Sequence, residues 1–142
     1  MTTWWIALTA VLSTLVGPGD THPACLTLGG LDVRRASAFA TARSAPLEDV
    51  YVDERAREAD RVLVREYRTR GLRLVGMSMV RTSCRVLDEA PARIRLDVVD
   101  TLGPTWAVDR TGTATPLPAD RPTRHVVTLA EVDGAWRVAG VR

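Results

Sequence analysis

The chain has 142 residues, a formal net charge of +2, 46% hydrophobic and 25% charged residues, values near the globular average that exclude wholesale disorder and a multi-span membrane protein. All 19 basic residues are arginine, interleaved with acids, so no strongly basic face exists for phosphates and nucleic acid is excluded as a partner.

The chain opens on an uncharged run, Trp4 to Val16, that breaks at Gly17-Pro18-Gly19-Asp20. As a helix, about 13 residues extend about 20 Å, short of the roughly 30 Å bilayer core. The run therefore reads as the apolar region of a signal peptide, with an uncleaved membrane anchor or a buried core helix as alternatives. The expected layout is a leader over 1–20, a linker over 21–30 and one folded domain over 31–142, a size that suits a single hydrophobic core.

Cys25 and Cys84 suit an exported protein with one disulfide, and closing a loop of about 60 residues stabilises by about 4 kcal/mol in the loop-entropy model. Two unpaired buried thiols are the alternative. The two cysteines and two histidines have no zinc spacing, so no metal is expected.

Asp32 is placed to cap a first helix whose apolar positions are Val33, Ala36, Phe39 and Ala40. Pro46 starts a short helix carrying Leu47, Val50 and Tyr51 inward. Asp53 caps a longer helix, Glu54 to Arg70, with Ala59, Val62, Leu63, Glu66 and Tyr67 on one side and Gly71 as its stop. From Leu72 the period falls to two. Leu72, Leu74 and Gly76 lead through a bend into Val80, Thr82, Cys84 and Val86 as one face of a long strand. Ile94, Leu96 and Val98 mark the next strand. Trp106 to Val108 and Thr113 to Leu117 flank a turn, and Val126 to Leu129 and Trp136 to Val141 flank the Asp133-Gly134 hairpin. Helices followed by an antiparallel meander predict an α+β layer fold.

The end of the chain, Leu117-Pro118-Ala119-Asp120-Arg121-Pro122-Thr123, then His125-Val126-Val127-Thr128-Leu129 and Asp133-Gly134-Ala135-Trp136-Arg137-Val138, resembles an actinobacterial family of exported or membrane-anchored NTF2-like (cystatin-like, cone-shaped) domains. Asp32 to Thr41, Leu47 to Val52 and Tyr67 to Leu74 are similar to that family's first helix, short helix and helix-to-sheet junction. The resemblance implies a curved antiparallel sheet of about four to six strands wrapped around the helices, with a cone that holds a ligand or docks a partner. Some NTF2-like relatives are isomerases or cyclases with an Asp base and a Tyr or Asp donor inside the cone.

By residue type, the catalytic candidates for such chemistry are Asp100 and His125. Asp100 shares the alternation of Ile94, Leu96 and Val98, while His125 is opposite in parity to Val126 and Thr128 and reads as exposed. Pairing of Asp100 with Arg81 or Arg85 is the structural alternative. Phe39, Tyr51, Tyr67, Trp106 and Trp136 are candidates to line a ligand pocket, core packing being the competing role. No phosphate loop, nucleotide fingerprint or Ser-His-Asp set appears, so no cofactor is expected. The expectation is a non-catalytic binding module outside the cytoplasm, its partner an envelope protein or a small apolar ligand, with membrane attachment through the leader and a homodimer both open. A small acid–base isomerase or cyclase is the alternative.

Overall fold

The computed structural model describes residues 22–142; the expected leader and its break lie outside the described residues. Two helices and a 3-10 turn precede seven strands: α1 (Pro23–Thr41), the turn Ala45–Asp49, α2 (Glu54–Thr69), β1 (Arg73–Val75), β2 (Met79–Ala90), β3 (Arg93–Leu102), β4 (Trp106–Val108), β5 (Ala114–Pro116), β6 (Thr123–Val132) and β7 (Ala135–Val141). All strand pairings are antiparallel, in one four-stranded sheet, β2-β3-β6-β7, and one three-stranded sheet, β1-β4-β5. The class is α+β, with seven strands in two sheets rather than four to six in one. Gly76 causes part of that division. Its φ of 78° ends β1 before β2 begins, and a Cβ there would lie 3.1 Å from the Trp106 ring packed against it.

Helix α1 starts well before Asp32, so residues 23–30 belong to the folded domain and are not a linker. His22 is the cap, its Nδ1 accepting the Ala24 N–H at 3.0 Å, and Pro23 supplies the φ a first turn needs. Cys25, Leu28, Leu31, Ala38 and Phe39 form the buried stripe, whereas Val33, expected in the core, is 71% exposed. Gly29 and Gly30 lie inside this helix, where burial of the turns on either side holds them helical.

Helix α2 keeps its expected cap, Asp53 accepting the Ala56 N–H at 2.8 Å, and stops before Gly71 at φ 70°. Its inward face is rotated by about one residue from expectation. Asp60 and Val64 are buried, with Ala56 and Tyr67 packed against the core, while Val62 and Leu63 are largely exposed. The turn between the helices buries Leu47 completely and Val50 and Tyr51 nearly so, and Val50 and Val52 hydrogen-bond to Val138 of β7. Leu96, Val98 and Leu129 meet them from the sheet.

One irregularity in β2 decides how α1 sits. Arg81 pairs with Asp100 and Ser83 with Val99, leaving Thr82 without a direct partner. In an unbroken strand, residues 81 and 84 would face opposite sides. The bulge turns both Arg81 and Cys84 toward the helices and overturns the expected stripe: Val80 is 51% exposed and Thr82 is exposed. The bend expected near Gly76 is thus a break between strands there and a bulge at Thr82. Cys84 reaches Cys25 of α1 in a disulfide, their Cα atoms 6.2 Å apart, and Arg81 reaches Asp32 of α1 at 2.5 Å.

Because the bridge closes 59 residues of sequence, replacing both cysteines by alanine should lower unfolding free energy by about 4 kcal/mol. Urea unfolding of the oxidised protein and the double variant measures the difference, and coincident midpoints would contradict the bridge.

Candidate functional site

Between α1, α2 and the inner face of the four-stranded sheet lies a cavity of about 410 Å³. Its apolar surface comes from Leu28 and Leu31 of α1, Val50 and Tyr51, Met79 of β2, Val127 of β6 and Val138 of β7. Gly140 and the half-exposed Val141 stand at the β7 side, where no atom lies within 4 Å of a Cβ built on Gly140. Seven polar side chains, the Tyr51 hydroxyl included, line this space in two networks.

The first network joins the helices. Asp60, 6% exposed, accepts two hydrogen bonds from Arg35, at 2.5 and 2.9 Å, and one from the Tyr51 hydroxyl. Burial and then the Asp60 charge push the Tyr51 hydroxyl well above its ordinary pKa. Burial works against the Arg35 charge, but the hydrogen bond and charge of Asp60 outweigh it and hold the guanidinium protonated. Arg35 also lies 5.4 Å from the centre of the Phe39 ring.

The second network joins α1 to three strands. Arg81 bonds Asp32 at 2.5 Å and stands 3.9 Å from Asp100, its directly opposite partner on β3. Asp100 in turn meets His125 Nε2 at 2.5 Å. Beside an ionised Asp100 that nitrogen carries the proton, which leaves Nδ1 as the basic atom of a neutral ring. Burial raises the Asp32 carboxyl above its ordinary pKa, against the pull of the Arg81 hydrogen bond. The Nε of Arg81 is buried and has no hydrogen-bond partner.

The cavity gathers three of the residues expected from sequence, Asp100, His125 and Tyr51. The pairing of Asp100 with Arg81 is also present. His125 points inward, contrary to its expected exposure, because the buried residues of β6 are Val127 and Leu129, not Val126 and Thr128. Phe39 and Tyr67 pack edge to face in the core, centroids 6.4 Å apart, and do not line the cavity. Trp106, 41% exposed, lines a separate groove of about 260 Å³ with Pro116 and Pro118. Trp136 lines a third, of about 250 Å³, with His22 and Glu89. Neither tryptophan belongs to the site.

Asp32, Arg35, Asp60 and Arg81 were not among the expected site residues. Asp60 had a readable signal: it sits four residues from Ala56 and four from Val64, a carboxylate inside an apolar helical stripe. Arg81 was expected only as one of two possible partners of Asp100, because its contact with α1 depends on the bulge. Among the described residues no group of three or more His, Cys, Asp or Glu is placed to hold a metal; the Arg81 guanidinium occupies the position between Asp32 and Asp100.

No protein-family model matches the chain, and no curated protein matches it. Solved structures do share its fold. The crystal structure of the intermembrane-space region of the chloroplast protein ARC6 matches with a TM-score of 0.58 at 12% identity, over 84% of this chain and 92% of that one. The likeness is one of fold alone. Among the described residues no helix is long and apolar enough to cross a membrane.

Removal of one partner from a buried ion pair exposes the other to the full desolvation cost, so Asp60→Ala should destabilise by about 3 kcal/mol, and Tyr51→Phe, which deletes one hydrogen bond, by about 1 kcal/mol. Adding Tyr51→Phe to Asp60→Ala should cost little more, because the hydroxyl's partner is already gone. Urea denaturation of the three variants tests this; an Asp60→Ala effect within about 0.5 kcal/mol of zero would remove the network from the account of stability.

Proposed function

We propose that this chain is an exported or membrane-tethered NTF2-like cone domain, similar to the actinobacterial family whose features it resembles, and that it serves as a non-catalytic binding module at the cell envelope with a small apolar ligand in the cavity between its helices and sheet. The observation that carries this reading is the cavity itself: an apolar surface of ligand-binding size in which each carboxylate is already engaged. Asp60 has three hydrogen bonds, Asp32 is held by Arg81, and Asp100 is shared by His125 and Arg81. Each of the three carboxylates is held by a neighbouring guanidinium, hydroxyl or imidazole, which supports a positioning role for it over that of a general base.

The Cys25–Cys84 bridge supports an oxidising compartment, where disulfides persist. A homodimer through the outer face of the four-stranded sheet has less support. Arg124 and Arg85 pair there with Asp97, and Arg95 with Asp88, in place of a broad apolar patch.

One contact favours the acid–base reading as a second possibility: Asp100 orients the His125 ring and leaves Nδ1, which has no hydrogen-bond partner among the described residues, as a base at the cavity wall. That reading requires turnover of an enolisable ketone, abolished by His125→Ala.

The neutral dye Nile red is expected to bind with enhanced, blue-shifted fluorescence. Val141 pairs with Val127 across β6 and β7 and so shares its inward face at the half-exposed rim of the cavity; Val141→Trp should therefore occlude the cavity and abolish the signal while leaving the thermal midpoint within a few degrees, about 1 kcal/mol or less. Dye binding that survives this substitution unchanged would place the ligand elsewhere and refute the cavity as the site.

A further inference from the structure

Resting on the cavity reading, we propose that the ligand is a monocationic amphiphile, with its positive head beside Asp32 and Asp100 and its hydrocarbon body over Leu31, Val127 and Val138.

The basis is the balance of charge inside the site. Two guanidinium groups, Arg35 and Arg81, face three carboxylates, Asp32, Asp60 and Asp100. Arg35 and Asp60 form a closed pair, completed by the Tyr51 hydroxyl. Arg81 alone serves the other two carboxylates, so with a neutral His125 this end of the cavity is one positive charge short. An imidazolium at His125 closes the deficit without a ligand; a ligand cation closes it without the imidazolium. Burial makes ionisation of Asp32 harder, and the charge of Asp100 adds a smaller push in the same direction. Asp120, held on the Leu102 N–H, is a further carboxylate within electrostatic reach of His125.

The arginines that might have balanced this charge are on the other side of the sheet. Arg85 and Arg124 both engage Asp97 on the outer face, giving two guanidiniums to one carboxylate there against one to two inside. A bare metal ion does not fit, because Arg81 fills the point where the carboxylates converge. A soft organic cation needs no convergent ligand set. It needs a carboxylate at its head and apolar walls along its chain, and the cavity supplies both. An anionic ligand would add negative charge beside two carboxylates that share one guanidinium.

Titration of the disulfide-bonded protein with octyltrimethylammonium, octanol and octanoate, each below its micelle concentration and followed by calorimetry, separates head-group from chain. The cation is expected to bind at least about tenfold more tightly than octanol, as one charge-assisted contact implies, with octanoate weakest. Asp100→Asn and Asp32→Asn should each lower the ratio of cation affinity to octanol affinity. Equal affinities for the three compounds, or tightest binding of octanoate, would overturn the cationic head and leave the cavity as an apolar site. Failure of all three, together with failure of Nile red, would overturn both the inference and the cavity reading beneath it.

Discussion

The structure depends on a double fastening of α1 to β2. Cys25 and Asp32 are two helical turns apart, a separation of about 10 Å along α1. Their partners, Cys84 and Arg81, are three residues apart on β2, also about 10 Å in an extended strand. The distances match and the order is reversed, so α1 lies antiparallel to β2, held by a covalent bond at one end and an ion pair at the other. The bulge at Thr82 is what permits this. Without it one of the two fastenings would face water and α1 would have a single attachment.

That fastening also makes the cavity. With α1 held over β2, the space between the helix and β6 and β7 is bridged by small and branched side chains, and part of it stays open. The polar groups lining the space arrive as ion pairs that connect the packed elements: Arg35–Asp60 connects α1 to α2, and Asp32–Arg81–Asp100–His125 connects α1 to β2, β3 and β6. Partly buried pairs of this kind contribute little net stability but penalise alternative packings, since a slipped helix leaves a charge desolvated and alone. The same residues therefore position the helices and give the cavity its electrostatic character. The bulge has a parallel effect on charge, placing Arg81 inside while Arg85 remains outside.

Much of this architecture was legible in the sequence where the signal is local. The α2 cap at Asp53, its stop at Gly71, the burial of Leu47, Val50 and Tyr51, the alternation of Ile94, Leu96 and Val98, and the Asp133-Gly134 hairpin, both residues at positive φ, are set by neighbours in the chain. The departures occur where a distant partner decides. Residues 21–30 read as a linker, yet burial of Cys25 and Leu28 makes the stretch from Pro23 onward part of α1. Val62 and Leu63 outrank Asp60 on hydrophobicity, yet Arg35 and Tyr51 draw Asp60 inside. Val80 alternates with Cys84 on paper, but the bulge reverses it. Of the candidate site, Asp100 was found through its parity on β3 and His125 through its chemistry alone, while Arg35 and Arg81 look like surface arginines until the helices are placed.

The central claim is that the space enclosed by α1, α2 and the four-stranded sheet is the binding site. Nuclear magnetic resonance titration of isotope-labelled protein with octanol, a probe without charge, tests it most directly. The account predicts saturable backbone shift changes concentrated at Leu31, Asp100, Val127 and Gly140, residues far apart in sequence that meet only at the cavity. Changes confined instead to Trp106 and the proline-rich groove at Pro116 and Pro118, or no saturable change anywhere, would contradict it.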